Sequence, residues 1–270
     1  HEAVKAVRPW MKLSCSPVGK YADLPRYSSR GWNARDALFQ DSLQWLNEGL
    51  MDQLYPMMYF DGDHFYPFAQ AWKEGAKRGQ IIPGLGTYML HPTEKNWSLA
   101  TMQHQMNYLR FIGLEGFTMF RYHFFTKNTK GIYDWVKERY AVTPALTPPI
   151  ASASNSPLAA PLVKAQRQNY KLTITWQPVA SDDGGPIVYN IYRQVGNEFE
   201  PVALKLTTTS FTLVPALPIL LNAPYIVTAM DAYGNESAAS FTNKLRPTTP
   251  TPLLGPQSKK TNEHAKAHTL

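Results

Sequence analysis

The hydrophobic pattern of this chain changes period once, and that change constrains the fold more than any other feature. Up to residue 142, short apolar runs alternate with longer stretches whose apolar residues recur at helical spacing; beyond 161 only strand-like runs remain. Between them "VTPALTPPIASASNSPLAAP" is dominated by Pro, Ser and Ala and carries no apolar period, the composition of a linker. Strand–helix alternation points to a parallel sheet with right-handed helical crossovers, and an all-strand stretch to an antiparallel sheet. The expected architecture is therefore α/β plus all-β: residues 1–142 as four β/α units, 143–161 as linker, 162–247 as a small sandwich and 248–270 as a polar, disordered tail.

In the first part, "PWMKLSCS" (9–16) alternates Trp10, Lys12, Ser14 and Ser16 with Met11, Leu13 and Cys15, a period of two that predicts a strand. "NARDALFQDSLQWLNEGL" follows, with Leu38, Trp45, Leu46 and Leu50 at helical spacing behind Asn33 as a cap. Three further pairs are predicted: strand 52–60 with helix 66–78, strand 79–89 with helix 97–112, and strand 116–123 with helix 130–140. Helix 97–112 is the clearest, since Leu99, Met102, Met106, Leu109 and Ile112 form one stripe that Gly113 stops. In the second part "YKLTITW", "VYNIYRQV", "TSFTLV" and "APYIVTAMD" read as strands, with "SDDGGP" and "AYGNES" as turns.

Composition excludes several classes. The formal charge of +7 is scattered and partly terminal, in "SKKTNEHAKAH", so no basic face for nucleic acid is expected. A single cysteine, Cys15, rules out an intrachain disulfide and a cysteine-built zinc site. His64, His91, His104 and His123 lack metal-ligand spacing, and no cofactor is expected. No run reaches the roughly 18 apolar residues of a membrane span. The start, "HEAVKAVRPW", has no initiator Met and looks cut from a longer protein.

The stretches "WMKLSCSPVGKY", "SSRGWNARDALFQDSLQWL", "LYPMMYF", "IIPGLGTYML" and "GFTMFRYHFFTKNTKG" together resemble the glycoside-hydrolase-like proteins related to family 10, bacterial cell-envelope proteins with a (β/α)8 barrel. Residues 162–247 resemble a fibronectin type III domain, through Trp176, "YNIYR" and "YIVTAMDAYGNES". The resemblance implies an O-glycosyl hydrolase acting on cell-envelope or related polysaccharides, with a peptidoglycan-like glycan as partner and a periplasmic or surface, lipoprotein-type location. It also implies that these motifs are the last four strands of the barrel. The first four, with an acidic motif after the fourth, would precede His1, so half of a TIM-type barrel is expected here and its N-terminal half is missing.

Barrel sites lie at the C-terminal ends of strands, which puts Asp61, Asp63 and His64 on the rim after strand 52–60. Asp61 or Asp63 reads as general acid/base or as acceptor for sugar hydroxyls, with Tyr59, Phe65 and Tyr66 as a stacking wall. The same "DGDH" also reads as a tight polar turn whose acids are solvated, against which its place at a barrel rim tips the reading toward function. Trp32 beside Asn33 reads as a sugar-stacking ring next to an amide, or as loop packing. Arg121 and His123 end the last strand on the same rim; Arg121 reads as a binder of a carboxylate-bearing sugar or as half of a structural ion pair. Asp36 and Asp41 are further acids, with Asp36 suited to a helix start. Glu115 precedes its strand and is assigned to the opposite end. A scaffold that binds the glycan without cleaving it is the alternative function.

Overall fold

The computed structural model describes residues 1–150 and 157–242. Strand β1 (Ser14–Cys15) follows a short helix α1 (Glu2–Val7) and leads into α2 (Ala34–Leu38) and α3 (Ser42–Asn47). Strand β2 (Gln53–Leu54) precedes α4 (Phe65–Gly75), and β3 (Gln80–Ile81) with β4 (Gly84–Gly86) precedes α5 (Leu99–Phe111). Strand β5 (Thr118–Phe120) is followed by α6 (Tyr122–Thr126) and α7 (Ile132–Trp135), which runs on into a π turn. Mixed helix and sheet is thus the observed class of the first part.

The strands of this part pair in parallel, in the order β1-β2-β3 and β4-β5, and Met57 bridges Val18 on one side and Gly84 on the other; one antiparallel bridge, Leu24 with Tyr27, lies in the first loop. The sheet is open, not closed into a barrel. Its ladders are far shorter than the predicted strands because three prolines stand in a row across it. Pro17, Pro56 and Pro83 have no N–H to donate, but each carbonyl accepts from the next strand, from Met57, Gly84 and Thr118 at 2.9, 2.8 and 2.9 Å.

Period-two alternation decides which face is covered. Leu54, Met58, Ile81 and Leu85 turn toward the helices and are buried with Phe65, Phe68 and Trp72 of α4 and Met102, Met106 and Leu109 of α5. Each such fully buried side chain contributes about 1.5–3 kcal/mol. Met57, Thr118 and Phe120, one position out of phase, are exposed on the other face. Helix α5 follows its predicted stripe and is capped by Ser98, which accepts from Thr101 N at 3.3 Å.

Two expectations are corrected here. The single helix predicted from Asn33 to Leu50 is two, because Phe39 adopts a left-handed conformation (φ 54°) and Asp41 starts a new helix by accepting from Gln44 N. The strand predicted through 123 ends at Phe120, since Arg121 is already the residue before α6.

From 163 the chain forms two antiparallel sheets. Strands β6 (Val163–Gln168), β7 (Lys171–Trp176) and β10 (Ser210–Leu213) make one, in the order β10-β7-β6. Strands β8 (Val188–Val195), β9 (Glu198–Leu206), β11 (Tyr225–Met230) and β12 (Ser240–Phe241) make the other, in the order β12-β11-β8-β9. Leu172, Ile174 and Trp176 of the first sheet pack on Tyr189, Ile191, Tyr225 and Val227 of the second. The expected tail and the last residues of the expected sandwich, 243–270, lie outside the described residues, as do 151–156 of the linker.

The described linker is not a free tether. Ile150 is buried and donates its N–H to Tyr233 O at 3.0 Å, and Gln80 Nε2 donates to Pro148 O at 3.0 Å. Tyr233 Oη donates to Pro9 O. These contacts involve residues at or before the N-terminal ends of β1 and β3.

Candidate functional site

Four loops leave the C-terminal ends of the parallel strands, and they build two groups of side chains. The first centres on Tyr59. Its ring stacks on Phe120 at 5.3 Å and 16°, and Tyr88 stands edge-on to both at 5.7 Å. Gly84 and Gly86 make room: a Cβ on Gly86 would lie 3.3 Å from Tyr59 Cβ, tighter than ordinary contact. Phe120 keeps 46% of its surface exposed. Burial, and then the Tyr88 phenol nearby, push the Tyr59 phenol up, so it stands as a neutral donor at ordinary pH.

Arg121 joins this group. Its guanidinium lies 5.4, 5.8 and 5.7 Å from the centroids of Tyr88, Phe120 and Phe124, and 3.8 Å from Glu94. The Glu94 loop is itself pinned, since Lys130 Nζ donates to Asn96 O, Asn96 Oδ1 and Trp97 O at 3.1, 2.7 and 2.6 Å. Thr87 Oγ1 donates to Arg121 O at 3.2 Å. His91 and His123 each meet Phe124 edge-on.

The second group centres on His64. Phe60, Phe68 and Tyr27 surround its ring at 5.5 Å each, Phe60 and Tyr27 edge-on, and Tyr27 Oη lies 3.2 Å from Nδ1. Phe60 points opposite to Tyr59 because the two are consecutive in an extended segment. Gln105 of α5 holds that segment by donating Nε2 to Phe60 O at 2.6 Å.

Lys20, at 2% exposure, organises the first loop: Nζ lies 2.7 Å from Asp23 and donates to Ser29 Oγ at 3.2 Å and Gly31 O at 3.1 Å. Trp32 at the tip of that loop is 73% exposed. Asn33 is 4% exposed, and its Oδ1 accepts from Asp36 N at 2.7 Å and Ala37 N at 3.1 Å. That oxygen is the cap of α2.

The predicted site residues are therefore brought together only in part. Tyr59 and Arg121 share one group; His64 belongs to the other. Asp61 and Asp63 are exposed in the turn before α4, and no hydrogen bond or ion pair to another described residue holds either carboxylate. Tyr66 lies on α4 and meets Tyr108 of α5 at 4.9 Å, in a helix–helix contact. Asp36 pairs with Arg35 at 2.8 Å, and Asp41 accepts from Tyr21 Oη at 2.6 Å, so both carboxylates are engaged structurally. Glu115 lines a cleft of about 390 Å³ with Lys73, Arg78, Gly79 and Pro149, at the end where β3 begins. Lys12 lies near Asp52 and Asp231, where burial pushes its ammonium down and the two acids oppose the shift.

Sequence reasoning missed Tyr88, Phe120 and Lys20. Phe120 was readable, since in "GFTMF" it shares a face with Thr118 opposite Met119. Nothing in the sequence singles out Lys20. Among the described residues no three His, Cys, Asp or Glu side chains form a metal-holding group, and no helix is long and apolar enough to cross a membrane.

No protein-family model matches the chain. It is similar to a curated protein of Bacillus subtilis (strain 168) named Glycosyl hydrolase YngK, 25% identical over 266 residues, covering 89% of this chain and 51% of that protein. The chain thus spans about half the length of this relative. Among solved structures it is similar to an Fn3-like protein from Clostridium thermocellum, with 21% identity, 32% of this chain and 90% of that one covered, and a TM-score of 0.26. It is also similar to the Clostridium perfringens spore cortex lytic enzyme SleM, with 12% identity, 70% and 77% covered, and a TM-score of 0.25.

Proposed function

We propose that this chain is part of a glycoside hydrolase that acts on bacterial cell-envelope or related polysaccharide glycans. One observation carries the reading: Tyr59 stacked on a half-exposed Phe120, with Tyr88 edge-on, at the C-terminal ends of parallel strands. Such a flat apolar face suits the C–H face of a pyranose, and this end of a parallel β/α sheet is where sites form. The name of the distant Bacillus subtilis relative supports the same class. In this proposal the four β/α units are half of a (β/α)8 barrel related to family 10, completed by four further units that pair with the open edges of the sheet and leave the Phe120 ring accessible at the rim. The sandwich is a fibronectin type III-like module, and the protein works at the cell envelope. Trp32 and His64 extend the glycan surface from the neighbouring loop.

Asp61 and Asp63 are the proposed acid/base candidates within this chain. Their exposed, unheld state favours a second reading, in which the chain binds glycan without cleaving it, because general acid catalysis asks for a positioned carboxyl. The two readings separate on one experiment. Glycan strands lacking stem peptides are incubated with the chain and with Asp61→Asn and Asp63→Asn, while release of reducing ends and binding are both followed. Turnover lost in either variant with binding retained supports hydrolysis through that acid; binding without turnover in every form supports the second reading; binding unaffected by Tyr59→Ala refutes the platform.

A further inference from the structure

We infer that the sugar bound beside the Tyr59–Phe120 platform carries a carboxylate, and that Arg121 is the residue that selects it. The inference rests on the reading of this rim as a glycan site and narrows its substrate class. Arginine side chains at protein surfaces are ordinarily either solvated or spent on a bidentate partner. Arg121 is neither. Three rings, Tyr88, Phe120 and Phe124, lie 5.4–5.8 Å from its guanidinium carbon, an arrangement that orients the group without consuming its N–H donors. Among the described residues the guanidinium donates no hydrogen bond. Its one charge partner, Glu94, stands at 3.8 Å, beyond hydrogen-bond length, and the two side chains are 55% and 36% exposed. A contact that long between exposed ends is screened and worth little.

What remains is an oriented, permanently charged fork next to a stacking face. Phe120 and Arg121 are consecutive, and the guanidinium lies within 5.8 Å of the Phe120 ring, so a pyranose laid on Phe120 presents its exocyclic group within reach. A hydroxymethyl there would use one donor and no charge. A carboxylate would accept two parallel N–H bonds and displace the loose Glu94 contact, the geometry arginine matches and lysine does not. Both a uronic acid and a lactyl-substituted amino sugar supply this chemistry.

The test measures binding to the full chain by calorimetry, with four probes. These are an oligogalacturonate, a muramyl glycan strand without stem peptides, and the carboxyl-reduced form of each. At least one acidic probe is expected to bind about fivefold to tenfold more tightly than its reduced form, and the arm that does so identifies the source. Arg121→Gln should abolish that ratio, Arg121→Lys should restore only part of it, and Tyr59→Ala should weaken acidic and reduced forms equally. Glu94→Gln, which removes the competing acid without touching the platform, should tighten the acidic probe alone. Equal binding of acidic and reduced forms, or a ratio that survives Arg121→Gln, overturns the inference while leaving the glycan site standing. Absence of binding by all four probes overturns both.

Discussion

Gly19 is the position where the smallest change should do the most damage to the rim. A Cβ added there would lie 2.7 Å from the Met57 carbonyl carbon and 2.9 Å from Met58 Cα, and closer still to the Met57 oxygen. All three are backbone atoms of the segment after β2, so no rotamer change relieves the overlap, and the two segments must separate by roughly 1 Å to reach ordinary contact. Gly19 O also accepts the buried Trp72 Nε1 at 2.6 Å, and separation breaks that bond. Overpacking of this kind costs about 1–3 kcal/mol and an unsatisfied buried donor about 1–3 more, so Gly19→Ala should destabilise by roughly 2–6 kcal/mol. Gly116→Ala is the control, because a Cβ there meets nothing within 4 Å and its φ is not left-handed; it should stay within about 0.5 kcal/mol of wild type. Urea denaturation of the full chain, read by tryptophan fluorescence, gives both values, and hydrogen exchange over 17–33 should rise in Gly19→Ala alone. Equal stability of the two variants would refute the claim that the first loop is seated on the Met57 backbone.

Further outcomes concern the linker and pH. Gly234 has φ +88°, and a Cβ there would lie 3.0 Å from Pro148 O and 3.1 Å from Pro149 Cα, so Gly234→Ala should loosen the linker and speed proteolysis between 143 and 150; an unchanged digest would refute the docking. Tyr21 is pushed up to about 12, by burial first and then by its hydrogen bond to Asp41. Because the folded value lies above the unfolded one, near 10, the stabilisation is complete below pH 10 and lost as pH rises toward 12. The stability gap between wild type and Tyr21→Phe should therefore shrink over that window, and a gap that stays constant by urea titration would contradict it.

Legibility in the sequence followed the range of each interaction. The stripe of α5 and the alternation in "YKLTITW" and "VYNIYRQV" are local, and the elements formed where they were read. Strand lengths in the first part were not, because their limit is a row of prolines from three different strands, and only the register aligns Pro17, Pro56 and Pro83. The break at Phe39 was readable in principle: Asp41 with Gln44 three residues on resembles a capping box, a competing helix start inside an apolar stripe. Tyr59 could be singled out by its place after a strand. Its stacking on Phe120, by contrast, joins residues some sixty positions apart, and only the parallel pairing of Gly86 with Phe120 brings them together. Asn33 was legible as a helix cap, and its oxygen is consumed by the backbone in that role.

The same contacts decide what the sandwich does for the rim. Parallel strands have two chemically distinct ends, and the sandwich touches one of them: Tyr233 reaches Pro9 ahead of β1, Ile150 bonds to Tyr233, and Pro148 receives Gln80 at the start of β3. Lys12 is electrostatically coupled there to Asp52 of one unit and Asp231 of the other, so a charged group of the first part has its compensation in the second. Lys5 adds to the same knot, 3.0 Å from Asp52, which also accepts Leu13 N at 2.8 Å. Partly buried charges of this kind are costly when a partner is withdrawn, which favours a docked sandwich over one swinging on a tether. A module fastened at the N-terminal ends of the strands leaves the Tyr59–Phe120 face and Arg121 open at the other. In the proposed glycan site, its effect on binding would then run through the orientation of the sheet, not through contact with the sugar.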